Sequence, residues 1–152
     1  MRTRLTISVF ACLALIMFAS LPAVAQTPAY LGAEKCGKLC HKIEYNSWST
    51  TKHAKAFDSL KPADQAKPEC VNCHVTGGKK ELPGVQCEAC HGPGSAFAKL
   101  AVMKDLAKAK AAGLVIPVEK DCVACHNKKS PNFKGFNFAE AVKKVHEKKA
   151  KG

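Results

Sequence analysis

Four times along this chain two cysteines stand a few residues apart, and a histidine follows the second at once. Three sets have two residues between the thiols: Cys70/Cys73/His74, Cys87/Cys90/His91 and Cys122/Cys125/His126. The first set, Cys36/Cys40/His41, has three, namely Gly37, Lys38 and Leu39. Eight of the nine cysteines are used this way, and the ninth, Cys12, lies in an N-terminal segment of different character. Any fold open to this chain must bring each pair of thiols, with its imidazole, to one chemical partner.

Three partners compete. Paired C-x-x-C units hold zinc, and exported chains build disulfide frameworks. Neither chemistry requires a histidine after every pair. With 6 histidines in the chain, chance would place one after all four pairs at roughly five in a million. Covalent haem requires it: the two thiols add to the porphyrin vinyl groups, and the adjacent imidazole reaches the iron from one face. The cofactor implied is four covalently bound haem c groups, attached at Cys36, Cys40, Cys70, Cys73, Cys87, Cys90, Cys122 and Cys125. In the first set the longer loop can bulge without moving either thiol far, and Gly37 gives it conformational room. A disulfide, or a pair that the attachment machinery skips, is the alternative there.

Attached haem also needs export, and the N-terminus fits it. Arg2 and Arg4 precede a largely apolar run from Leu5 to Leu21, and Ala23-Val24-Ala25 is an A-x-A cleavage site. The expected layout is a secretory signal over residues 1–25 and one tetrahaem cytochrome domain over 26–152, with no later segment able to span a membrane. Periplasmic or extracellular residence follows.

The remaining 127 residues are poor in core-forming side chains. Leu, Ile, Val and Phe make 23 of them, about 18%, below the roughly 20% under which charged chains stay disordered. Basic residues outnumber acidic ones 22 to 12. Four porphyrins would supply the missing core, so that cofactor binding and folding are one event.

The fold class expected is mostly α with long loops and no convincing strands. A helix is expected over Glu44–Leu60, with Trp48, His53, Phe57 and Leu60 near one face. Thr76–Gly84 reads as a turn-rich loop. Ser95 would cap a helix running to Ala112, and Asn137 would open the last helix, with Glu140 completing a capping box. Phe138, Val142, Val145 and His146 share a face there. The lysine-rich tail after His146 is expected to fray.

Several stretches taken together resemble a known family. They are Tyr45-x-x-Trp48 with His53-Ala54-x-Ala56, Cys70-Val71-x-Cys73-His74-Val75, Gly84-Val85-x-Cys87-Glu88-x-Cys90-His91-Gly92-Pro93-Gly94, and Phe136-x-Phe138 with Val142, Val145 and His146. Over nearly all of residues 30–147 the chain is similar to the tetrahaem cytochrome c-554 type, typified by the electron acceptor of hydroxylamine oxidoreductase in nitrifying bacteria. The resemblance implies a mostly helical, haem-packed fold with haems stacked in pairs.

Four irons have eight axial positions. His41, His74, His91 and His126 fill four, and only His53 and His146 remain. For these two the plain alternative is a surface or core histidine. The resemblance implies that His53 serves the Cys87/Cys90 haem and His146 the Cys122/Cys125 haem, and that the Cys70/Cys73 haem keeps an open position. It also places the first haem's second histidine just after the Gly-Pro-Gly turn. This chain departs there, reading Ser95-Ala96-Phe97-Ala98-Lys99-Leu100. Met103, on the helix expected to follow, is a candidate substitute, an apolar helix residue being the alternative.

Electron transfer through four haems is the leading function, which makes the chain a carrier rather than an enzyme. The competing class is an enzyme or ligand sensor in which an open haem binds nitric oxide or reduces a small nitrogen oxide. A third is a subunit of a larger multihaem assembly or oligomer, in which a neighbouring chain's histidine completes a haem. With eight propionates and four ferric charges, the net charge becomes about +6 oxidised and about +2 reduced, which suits a transient, acidic redox partner protein. Nucleic acid is a poor partner for an exported chain. Intact mass of the purified protein should equal residues 26–152 plus four haems. Three haems with free thiols at Cys36 and Cys40 would contradict haem attachment at the longer motif.

Overall fold

The computed structural model describes residues 27–148. The expected signal segment with Cys12, and the last four residues of the lysine-rich tail, lie outside the described residues. Among the described residues no helix is long and apolar enough to cross a membrane.

Short helices and long loops carry the chain. In order come α1 (Ala33–Gly37), α2 (Lys42–Ser49), a 3-10 turn at Phe57–Ser59 and α3 (Pro68–Val71). An antiparallel pair follows, β1 (Val75–Thr76) and β2 (Lys79–Pro83). Then come α4 (Cys87–His91), a 3-10 turn at Gly94–Ala96, α5 (Leu100–Met103), α6 (Leu106–Ala111), α7 (Glu119–Val123) and α8 (Phe138–Ala141), which runs into a 3-10 turn at Val142–Lys144. The longest described helix, α2, has eight residues. Helices this short do not persist alone in water, so tertiary contacts hold them.

Three elements differ from what the sequence suggests, each for a local reason. The helix expected over Glu44–Leu60 stops at Ser49. There the hydroxyls of Ser49, Thr50 and Thr51 donate back to the carbonyls of Asn46, Ser47 and Trp48, competing with helix propagation. The helix expected over Ser95–Ala112 breaks at Asp105, whose carboxylate accepts from the Ala107 and Lys108 N–H groups and opens α6. Ser95 is not a cap; its hydroxyl accepts from the Ala29 N–H instead. Finally, the loop expected at Thr76–Gly84 is a hairpin. Gly77 and Gly78 have φ of 61° and 68°, which is what a two-residue hairpin turn needs at both positions. Asn137 does cap α8 through the Glu140 N–H, but the Glu140 carboxylate pairs with Lys143 rather than closing the box.

The hairpin serves a seam. Thr76 is fully buried; its hydroxyl donates to Gly84 O and accepts from the Gln86 N–H. From that seam the Gly84 N–H donates to His74 O and the Val85 N–H to His53 O. The Trp48 indole N–H donates to Val85 O at 2.9 Å. The backbones of two histidines are thus tied to one strand end.

A second tie is a buried charge. Glu88 is 2% exposed. Its carboxylate accepts from the Leu31 N–H at 2.9 Å to each oxygen, and from the Gly32 and Gly94 N–H groups at 2.6 Å. It fastens the chain entering α1 to the start of α4, and those helices pack together. Apolar burial is slight: Ala33, Ala56, Val71, Val75, Phe97 and Ala109 are the buried hydrophobic residues described. Replacing Glu88 by Ala would leave three N–H groups without acceptors, those of Gly32 and Gly94 buried, and should cost about 3 kcal/mol or more. Denaturant unfolding followed by circular dichroism will show it, with Glu88→Gln losing less because one acceptor oxygen remains.

Candidate haem-ligand site

Each cysteine set sits at a helix. Cys36 lies in α1, Cys70 in α3, Cys87 at the first turn of α4 and Cys122 in α7. The eight described cysteines are all unbonded to one another. Among the described residues no three His, Cys, Asp or Glu side chains converge on one metal ion. Among the described residues neither the zinc nor the disulfide arrangement is formed.

The first set shows how one extra residue is absorbed. In the Cys122 set the His126 N–H donates to Cys122 O, four residues back. In the Cys36 set the His41 N–H donates to Cys36 O, five residues back, at 3.1 Å. The closing bond is kept, and the added residue makes a single wide turn. Leu39 is pushed outward to 82% exposure. The role of Gly37 needs correction. It is not among the glycines with left-handed φ, and it lies within α1. It makes room for a neighbour, since a Cβ there would fall 2.2 Å from the Tyr45 ring.

The six histidines divide into two ring pairs and two others. His91 and His146 have ring centroids 6.4 Å apart, and His53 and His126 5.9 Å apart. A metal–imidazole bond of about 2.0–2.1 Å, plus about 1.1 Å from ring nitrogen to ring centre, puts two rings on opposite sides of one ion about 6 Å apart. Both pairs fit that span. Their membership crosses the expectation from resemblance: His53 faces His126, not His91, and His146 faces His91, not His126. The reason lies in the early end of α2. The chain turns away after Ser49 and carries His53 toward α7, while the Glu147 N–H donates to the Ser47 hydroxyl and draws the C-terminal turn over α2.

Hydrogen bonds select which ring nitrogen is available. Nδ1 of His91 bonds Val115 O at 2.9 Å, Nδ1 of His74 bonds Ala56 O at 2.6 Å, and Nδ1 of His146 bonds Glu147 O at 2.6 Å. A carbonyl accepts only from N–H, so Nε2 carries the lone pair in all three. His126 is held differently, stacked on Phe136 at 5.0 Å and 18°. Burial, and then the nearby His126, push the pKa of His53 down. His41 has Nδ1 4.0 Å from the Glu44 carboxylate. Among the described residues neither His41 nor His74 faces another histidine ring. Met103 is half-buried at the end of α5.

Thiols of different sets are neighbours. A hydrogen bond between the Cys36 and Cys87 thiols, and then burial, hold Cys36 far above its ordinary pKa, while the same bond, working against burial, holds Cys87 below it. Burial, and then the Cys73 thiol, push Cys125 up to about 12. Burial, and then the charge of Cys122, raise Cys90. The sets therefore abut in the order first, third, fourth, second. Periodicity could not show this, nor the part played by Glu88; the only signal for the latter was an acidic residue inside the third motif.

Paired thiols at short helices, with imidazoles facing one another across the span of a single ion, define a multihaem c-type cytochrome, an electron-transport protein with covalently bound haem. A family model described as "Cytochrome c554 and c-prime" matches residues 35–92. Cytochrome c-554 of Nitrosomonas europaea is 35% identical, over 87% of this chain and 80% of its own length. The solved structure of the reduced state of cytochrome c554 from Nitrosomonas europaea is similar with a TM-score of 0.60 and 29% identity, covering 79% of this chain and 85% of that one. The chain belongs to the cytochrome c-554 family. Gly37→Ala should displace Tyr45 and impair attachment at Cys36 and Cys40. Intact mass should then reveal a population one haem short, and Tyr45→Ala in the same chain should abolish that population.

Proposed function

We propose that this chain is a periplasmic electron carrier with four haems, attached at Cys36/Cys40, Cys70/Cys73, Cys87/Cys90 and Cys122/Cys125. In this reading His41, His74, His91 and His126 are the motif ligands. His146 completes the Cys87/Cys90 haem and His53 the Cys122/Cys125 haem. The observation that carries it is the pair of ring separations, 6.4 Å and 5.9 Å, with Nδ1 of His91 and of His146 already committed to carbonyls. Iron held between two fixed imidazoles supplies a one-electron couple that needs little rearrangement. The chain's part is to fix both rings, exclude exchangeable ligands and set the sites in line. The signal-like segment of residues 1–25 supports the periplasmic reading.

The order of neighbouring thiols puts the two histidine-paired sites in the middle and the His41 and His74 sites at the ends. The end sites lack a second histidine, and this favours small-ligand binding there as a second reading. Met103 is the candidate that would close the His41 site. Carbon monoxide should bind two haems of the reduced protein, or one if Met103 ligates. His53→Ala and His146→Ala should each add one. Without the Cys122/Cys125 haem, His53→Ala should add none, while His146→Ala still should. The reverse dependence would restore the pairing implied by resemblance.

The partner proposed is an acidic protein surface met transiently. Lys128, Lys129, Lys134, Lys143, Lys144 and Lys148 gather after the fourth motif against Glu140 and Glu147. Association driven by such charge weakens as the screening length shrinks. The rate of electron exchange with an acidic redox protein should fall steeply between 0.01 and 0.15 M salt; a flat profile would mean that the lysines serve solubility.

A further inference from the structure

The C-terminal ligand segment is tied to α2, the helix that follows the first motif, by one side chain. Ser47, two residues before the end of α2, accepts from the Glu147 N–H at 2.7 Å across 100 residues of sequence. Glu147 O in turn receives the His146 Nδ1–H at 2.6 Å. The Ser47 hydroxyl also donates to Glu44 O at 3.1 Å. Both hydroxyl roles are therefore filled, which fixes the rotor and aims its lone pair at Glu147. The neighbouring hydroxyls of Ser49, Thr50 and Thr51 donate only to local carbonyls. Glu147 and Lys148 are exposed, so a ligand carried beside them would be prone to leave unless tethered.

We infer that Ser47 is a positioning residue for His146: it pins the Glu147 peptide, and the Glu147 carbonyl orients the imidazole toward His91. The inference rests on the ligand reading above, in which His146 completes the Cys87/Cys90 haem. The consequence is specific. Loss of the hydroxyl should leave the fold in place and loosen one ligand. Ala is at least as good a helix former as Ser, and removing a back-bond to the preceding turn does not weaken α2.

The experiment uses the haem-loaded protein and four forms: unaltered, Ser47→Ala, Ser47→Thr and His146→Ala. Two readouts are taken: the high-spin fraction of the oxidised protein, and the rate at which carbon monoxide enters the reduced protein beyond the haems that bind it at once. His146→Ala should add one fast-binding haem. Ser47→Ala should speed carbon monoxide entry at that same haem several-fold, up to about tenfold, the range one net hydrogen bond allows. Ser47→Thr, which keeps the hydroxyl, should behave as the unaltered chain, and the unfolding midpoint should stay put. If His146→Ala changes neither readout, the ligand reading fails. If His146→Ala opens a haem while Ser47→Ala leaves both readouts unmoved, the ligand reading stands and the Ser47 inference is overturned.

Discussion

The constraint behind this structure is a shortage of apolar burial. Six buried hydrophobic residues are described, three of them alanines, and no helix among the described residues exceeds eight residues. Side chains of this kind do not repay the entropy of ordering such a chain. The paired imidazoles and neighbouring thiols show where the repayment comes from. Bound haem is large, apolar and covalently fixed, and in this protein it takes the place that leucine and phenylalanine fill in an ordinary domain. The surface ion pairs are local, such as Lys67–Asp64 and Lys143–Glu140, and exposed pairs of this kind contribute little.

A haem-packed interior leaves the polypeptide the work of registration. Buried polar ties do this work. Glu88 gathers three backbone N–H groups from two separate stretches. Thr76 and Trp48 lock the Gly84–Gln86 seam to His53 and His74. Each tie has one end at or next to a haem-attachment motif or a candidate ligand. A buried, fully satisfied polar group gives fixed distance and direction, which is what a ring facing an iron requires and what an oily contact does not supply. The same logic explains the wide turn at Cys36–His41: the closing hydrogen bond is kept, and the extra residue is discarded to solvent as Leu39.

Much of the site was legible from spacing alone. The thiol pairs and their histidines are a local pattern, and the chemistry they serve demands that locality. The mostly helical class was legible too, and so was the Asn137 cap. What could not be read was whatever depends on two distant stretches meeting. His53 and His146 were recognisable as ligand candidates, but their partners were not, because those depend on where α2 ends. That end is set by a run of hydroxyl residues whose back-bonding competes with the helix, a balance that helical periodicity does not register. The Gly77-Gly78 hairpin was hidden because β1 is only two residues long, too short to display alternation. The role of Glu88 was hidden because the N–H groups that donate to its carboxylate come from residues 31–32 and 94.

Haem is the core of this fold. The most direct test is far-ultraviolet circular dichroism of residues 26–152 made without haem attachment, beside the haem-loaded protein. The account predicts an apoprotein with little helix and no cooperative thermal transition, and a cooperative, helical loaded form. A haem-free chain with the same helical content and a sharp transition of its own would contradict it.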